Sequence, residues 1–212
     1  MLQYNPKAAV AALAAADEQL AELIERVGPF EIEERDVSST FEALLRSIVY
    51  QQLSGKAAAT IYGRVRVLYP EQNALLPEQL LVTADEVLRS AGLSRAKTAA
   101  VKDLAAKTLD GTVPSLEQLS TMTDAEIIER LIQVRGIGVW TVEMLLLFSL
   151  GRPDVLPIND LGVRKGFMLT YGLEDLPKPA ELLEHGERWR PYRSVASWYF
   201  WRAVDSQNPL GR

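Results

Sequence analysis

The stretch Leu131-Ile132-Gln133-Val134-Arg135-Gly136-Ile137-Gly138-Val139-Trp140-Thr141-Val142 decides how this chain is read. It has the pattern of a helix end, a glycine hairpin, and a second helix, Val139 to Leu150, that opens at the hairpin. Two glycines flanking one apolar residue adopt positive φ at little cost, which allows a tight reversal. The first amides of the helix that follows lack a carbonyl one turn back, and a helix N-terminus favours negative charge. Such a hairpin forms a cradle for a phosphodiester backbone, gripping it through amides that read no bases. On the glycine motif alone, the alternative is an ordinary turn between two helices of a bundle.

Helix signals dominate the rest of the chain. Asn5-Pro6 supplies a cap and an N1 proline for one helix running to Gly28-Pro29, and Phe41, Leu44, Leu45, Ile48 and Val49 recur at helical spacing. Thr83 with Glu86 and Thr123 with Glu126 are expected capping boxes, while Gly92, Gly111, Gly151 and Gly172 stand where helices should stop. No alternating strand pattern, internal repeat or low-complexity linker interrupts this, so the expectation is an all-α protein of about ten helices.

Composition narrows the function. A chain of 212 residues, 48% hydrophobic, buries a sizeable core as one domain or two small lobes. With no cysteine, disulfides, cysteine zinc sites and cysteine-ligated iron–sulfur clusters are excluded, and the single histidine, His185, leaves little room for histidine catalysis or metal ligation. No apolar run has the length of a membrane span, and Ala8 to Ala16 lacks a signal-peptide cleavage pattern, so a globular cytoplasmic protein is expected. The net charge of −5 argues against a generic nucleic-acid binder and shifts attention to where the charges fall. Glu31, Glu33 and Glu34 lie early; Arg135, Arg152, Arg164, Lys165, Arg188, Arg190 and Arg193 gather from the hairpin onward. An acidic outer lobe and a basic cleft are expected, although any one of these residues is by itself an ordinary surface charge.

Beyond the hairpin helix, Leu150-Gly151-Arg152-Pro153 ends the element, Val155-Leu156-Pro157-Ile158 reads as extended, and Asn159-Asp160-Leu161-Gly162-Val163-Arg164 starts another helix. Asp160 follows Gly138 by twenty-two residues. A helix–hairpin–helix, a proline-containing loop and an aspartate at that distance resemble the HhH-GPD superfamily of base-excision DNA glycosylases. The segments GIGVWT, LPINDLGVRKG and WRPYRSVASWYFW are similar to its 3-methyladenine DNA glycosylase II (AlkA-type) branch, and the resemblance extends from Phe41 to Asp205. It implies one glycosylase unit over residues 1–212 with two helical lobes and the DNA cleft between them. Residues 41–159 would form the middle lobe, with the helix–hairpin–helix at 131–150; residues 1–40 and 160–212 would form the second. A single helix would precede the middle lobe, without the β-containing domain of longer members. The implied partner is double-stranded DNA containing damaged bases, bound by a monomer away from any membrane.

The resemblance also assigns roles. Breaking an N-glycosidic bond leaves an oxocarbenium-like sugar, which a nearby carboxylate stabilises. The family's essential aspartate falls on Asp160; an Asp ahead of a helix is by itself usually only a cap, and the two roles are compatible. Relatives that also cut the backbone use a lysine amine two residues after the second glycine. Here Trp140 stands there, so a monofunctional enzyme that uses water is implied, and Lys165 becomes a phosphate or surface contact. Trp140 and Trp201 match the tryptophans that line the base pocket, where a cationic alkylated purine gains stacking and cation–π energy. Val195, Trp198 and Trp201 have the spacing of a core stripe as well. Tyr50 and Met144 would complete the pocket, with Gln51 near its mouth. Gln52, or else Leu53, would fill the gap left by the flipped base. Gly136, Gly138 and Thr141 would hold phosphates at the hairpin, with Lys97 and Arg164 as further contacts. No cofactor is required; a structural monovalent cation, Na or K, would be held by the carbonyls of Ile132, Val134 and Ile137. Two alternatives stay open: a glycosylase for deaminated or etheno bases, and a non-catalytic helix–hairpin–helix DNA-binding protein.

Overall fold

The structure is a computed structural model and describes residues 2–33, 35, 37–70 and 75–207; Glu34 lies outside them. Regular structure among the described residues is entirely helical: thirteen α-helices and one 3-10 turn. The surplus over the expected ten consists of short elements such as α5 (Pro77–Val82), α6 (Asp85–Ser90) and α8 (Leu116–Thr121). Six residues are too few to display a helical period twice. No helix among the described residues is long and apolar enough to cross a membrane.

The chain divides into two compact units, one made of Met1–Arg35 and Leu146–Arg212, the other of Asp36–Leu145. This corrects the expected middle lobe of 41–159 at its far end. Leu146 to Asn159 belongs with the chain termini because its contacts lie there. The Ser194 hydroxyl donates to the Arg152 carbonyl at 2.6 Å and accepts from the Val155 amide at 2.9 Å. Leu156 enters the same buried cluster as Trp189.

In the terminal unit, the expected single N-terminal helix is two, α1 (Pro6–Ala16) and α2 (Glu18–Val27). Asn5 caps the first as anticipated, accepting the Ala8 amide at 3.2 Å. Asp17 breaks the run: it is extended, with φ −154°, and its Oδ1 caps α2 through the Leu20 amide at 3.1 Å. Leu13, Leu20 and Leu23 pack on α11 (Leu161–Tyr171) and α13 (Arg193–Gln207). A Cβ on Gly166 of α11 would lie 2.0 Å from the Phe200 carbonyl oxygen of α13, so glycine permits this close crossing. Oδ2 of Asp17, only 5% exposed as a residue, accepts from the Tyr171 hydroxyl at 2.6 Å and the Trp189 indole at 3.0 Å, and lies 3.4 Å from His185 Nε2. Burial alone would raise its pKa, but these hydrogen bonds and that of Leu20 outweigh burial and hold it below the ordinary value. Burial, assisted by Arg188, lowers that of His185 against a smaller opposing pull from Asp17. Where the chain passes to the other unit, the Arg35 amide donates to the Phe148 carbonyl at 2.7 Å, with the guanidinium 4.8 Å over the Phe148 ring.

The inner unit is organised on α7 (Arg95–Leu109), which packs on α3 (Thr40–Tyr50) and α5 and fully buries Val101 and Leu104. It also holds α4 (Gly55–Val67), α6, α8, α9 (Asp124–Leu131) and most of α10 (Val139–Phe148), near whose end the division falls. Thr123 and Glu126 form their capping box, and Ser115 and Gln118 form another that was not anticipated. Thr83 does not cap α6. It closes α5 instead, with its hydroxyl donating to the Gln79 carbonyl at 2.7 Å. Gly92, Gly111, Gly151 and Gly172 follow helices with positive φ, as expected.

Candidate active site

At the hairpin, Val134 and Ile137 point inward and are buried, and the amide of Ile137 donates to the Val134 carbonyl at 3.0 Å. Only Gly136 uses the left-handed region, with φ +81°; Gly138 does not, which corrects the expectation for the pair. Gly138 serves differently. Its carbonyl accepts the first two bonds of α10, from Thr141 at 3.0 Å and Val142 at 3.2 Å, and a Cβ there would meet nothing within 4 Å. The bare α-carbon thus faces open space at a helix N-terminus, as backbone approach by a phosphate requires. Thr141, expected at a phosphate, is buried, and its amide donates to the Gly138 carbonyl.

Helix α7 supports this hairpin from beneath. Asp103 Oδ2 accepts the Arg135 amide and the Lys107 ammonium, both at 2.7 Å, and Lys107 also donates to the Gln133 carbonyl at 2.5 Å. Burial favours protonation of Asp103, but these bonds prevail and its pKa lies below the ordinary value. The same helix supports the end of α3. Lys97 Nζ, expected at a phosphate, donates to the carbonyls of Val49 at 2.7 Å and Gln51 at 2.8 Å and satisfies acceptors that a helix end leaves without partners. Partial burial lowers its pKa. The Gln51 side chain, expected near a pocket mouth, donates to the Gly136 carbonyl at 2.8 Å. Next comes Gln52, exposed, with φ +57°, and then Leu53, 39% exposed. Tyr50 packs among its own unit's side chains, with the Arg46 guanidinium 4.2 Å from its ring centre and Tyr62 edge-on at 6.5 Å.

Trp140 opens α10 with 49% of its surface exposed, and Met144 follows one turn later, half-buried. In the terminal unit, Asp160 caps α11, its Oδ1 accepting the Val163 amide at 2.8 Å. The same oxygen accepts the Trp201 indole N–H at 2.9 Å, and the Trp201 ring stacks on Phe148 with centroids 5.7 Å apart. Gly162 makes room for this: a Cβ would lie 2.8 Å from Trp201 Cδ1 and 3.1 Å from Asp160 Oδ1. A glycine in the first turn of a helix, where alanine is the better helix former, was the available signal for that close approach. Trp198, one turn earlier on α13, is buried against Phe30, and Trp201 packs partly buried against the same core cluster.

Two of the basic side chains expected to gather here are paired with carboxylates. Arg193 is buried and bidentate on Asp154, at 2.7 and 3.0 Å, and Arg190 bonds to Asp154 and Glu187. Arg164, expected on phosphate, donates twice to the Pro177 carbonyl, at 2.9 and 2.8 Å.

The HhH-GPD superfamily model, described as that of base excision DNA repair proteins, matches residues 45–191, well over half the chain. The chain belongs to this superfamily. Among its HhH-GPD relatives, DNA-3-methyladenine glycosylase 1 of Schizosaccharomyces pombe is 36% identical over 191 residues, 90% of this chain and 84% of that protein. The 3-methyladenine DNA glycosylase Mag1 of the same organism, solved in complex with abasic DNA, superposes with a TM-score of 0.83 at 34% identity, covering 96% and 99% of the two chains. The DNA-3-methyladenine glycosidase of Bacillus halodurans does so at 0.86 and 35% identity, covering 99% and 94%.

Proposed function

We propose that this chain is a monofunctional DNA N-glycosylase that flips alkylated purines, 3-methyladenine and 7-methylguanine, out of double-stranded DNA and hydrolyses their N-glycosidic bond. The carrying observation is the carboxylate of Asp160, oriented by two donors on one oxygen, the Val163 amide and the Trp201 indole. A cationic purine leaves as a neutral base, taking the electrons of its bond to C1′, so no acid is needed. The carboxylate stabilises positive charge on the sugar; water then adds at C1′ and loses a proton, leaving an abasic site. An indole nitrogen at position 140 offers no amine for a Schiff base, which supports water as the nucleophile. The exposed Trp140 ring offers a face for the flipped base, and the names of the relatives agree in substrate class. Gln52 is the side chain that enters the vacated stack. A monovalent cation would sit on the carbonyls of Ile132, Val134 and Ile137, sharing the Val134 oxygen with the Ile137 amide.

The test incubates the protein with methylated, deaminated and etheno-modified duplexes and identifies the bases released. Free methylated purines are expected, no adduct should be trapped by borohydride, and Asp160→Asn should retain less than about a tenth of the rate while binding abasic-site DNA within about tenfold of wild type. Release of only deaminated or etheno bases would reassign the substrate, and no release at all would favour a binding module.

A further inference from the structure

The first turn of α7 contains an anomaly. Lys97 is its third residue, where a cation opposes the positive end of the helix dipole. Its ammonium lies instead at the negative end of α3, on the carbonyls of Val49 and Gln51. The residue immediately after those carbonyls, Gln52, holds φ +57°, a left-handed conformation that is strained for a side-chain-bearing residue and persists only where neighbours enforce it. Gln51 is gripped on both sides, its carbonyl by Lys97 and its side-chain amide by the Gly136 carbonyl at 2.8 Å. The hairpin in turn rests on Asp103 and Lys107 of α7.

We propose that Lys97 is a positioning residue which, acting through Gln51, holds the Gln52 tip in its left-handed conformation and fixes it to the phosphate-gripping hairpin, so that insertion into the duplex and backbone capture occur as one rigid step. This rests on the reading of Gln52 as the inserted side chain. Pre-organisation is the gain: the tip need not be ordered when DNA arrives. A lysine serving a phosphate would behave otherwise, since its loss weakens binding to every DNA and lowers the salt slope by about one.

A double-mutant cycle separates these cases. Single-turnover base release and the fluorescence of 2-aminopurine placed beside a methylated base would be measured for Lys97→Met, Gln51→Ala, Gln52→Ala and the pairs with Gln52→Ala. Lys97→Met and Gln51→Ala should each slow release about tenfold and diminish the fluorescence rise, but add almost nothing in the Gln52→Ala background. Affinity for undamaged duplex and its salt slope should stay at wild-type values. Multiplicative losses with Gln52→Ala, or a salt slope reduced by about one in Lys97→Met, would overturn the proposal while leaving Gln52 in place. A Gln52→Ala protein with unchanged release and fluorescence would overturn the insertion reading itself, and the proposal with it. Gln51→Ala leaves the Lys97 ammonium and both its carbonyls intact, so it decides the matter if Lys97→Met fails to fold.

Discussion

At Gly162, one hydrogen in place of a side chain lets the Trp201 indole reach Asp160. Gly162→Ala puts a methyl 2.8 Å from Trp201 Cδ1, so the indole must withdraw and its bond to Oδ1 must lengthen. Alanine also favours the helix by roughly 0.5–1 kcal/mol, which offsets strain in the fold. The expected result is base release slowed by about tenfold or more with a urea midpoint near wild type, read from single-turnover rates and equilibrium unfolding. Trp201→Phe should keep a ring on Phe148 yet remove the N–H, lowering kcat while affinity for abasic-site DNA holds; a loss confined to binding would make Trp201 a pocket wall only. Asp160 was legible in the sequence as a helix cap, and its expected place at the sugar came only from the family resemblance. Its bond to Trp201 was not: the partners are 41 residues apart, and the spacing of Val195, Trp198 and Trp201 reads equally well as a core stripe.

Among elements, the hairpin and α10 yield the sharpest contrast. Gly138 lacks the left-handed conformation and has open space around it, so Gly138→Val should leave thermal stability within a few degrees of wild type but weaken binding to all duplexes alike. Gly136 is held at φ +81° with Ala100 3.4 Å from its would-be Cβ; Gly136→Ala should cost about 1–2 kcal/mol of stability by thermal unfolding. Equal effects of the two substitutions on stability would contradict the geometry. Helix ends marked by local chemistry were readable: Asn5 and the pair Thr123–Glu126 cap as their sequence suggests. Thr83 had the same signature and went elsewhere, because Tyr69 and the Gln79 carbonyl engage its hydroxyl. Lys97, Arg164 and Arg193 were legible as charges, but whether an ammonium or guanidinium faces solvent or a carbonyl is settled by tertiary contacts.

At the level of the whole molecule, the terminal unit depends on a buried carboxylate that joins both ends of the chain. Asp17→Asn would confront Tyr171 and Trp189 with an altered acceptor and should destabilise the protein by about 2–4 kcal/mol in urea unfolding. Acid acts in two stages. His185 has a folded pKa below its ordinary 6.5, so the unfolded chain binds more protons as pH falls below that value, and the stability present above it declines. Asp17, likewise depressed, contributes stability that is complete above its ordinary 3.8 and is lost as pH falls through its lower folded value. The urea midpoint should therefore fall between about pH 7.5 and 5.5, and His185→Phe should flatten that limb. A midpoint equally pH-sensitive in the variant would sink the assignment. That the N-terminal helices join the C-terminal ones followed from the resemblance; the division after Leu145 did not, since Arg152 to Leu156 is anchored by Ser194 and the core around Trp189, contacts that no local pattern displays.

The bond between the Arg35 amide and the Phe148 carbonyl has an evolutionary corollary. The polypeptide departs from the terminal unit and rejoins it at neighbouring points, so Asp36–Leu145 is a cassette spliced into a closed base. Loop closure grows slowly with insert length, and such a base tolerates a large guest nearly as well as a small one. Exchanging the guest would alter the grip on nucleic acid while the setting of Asp160 by Trp201 and Val163, all host residues, is inherited intact.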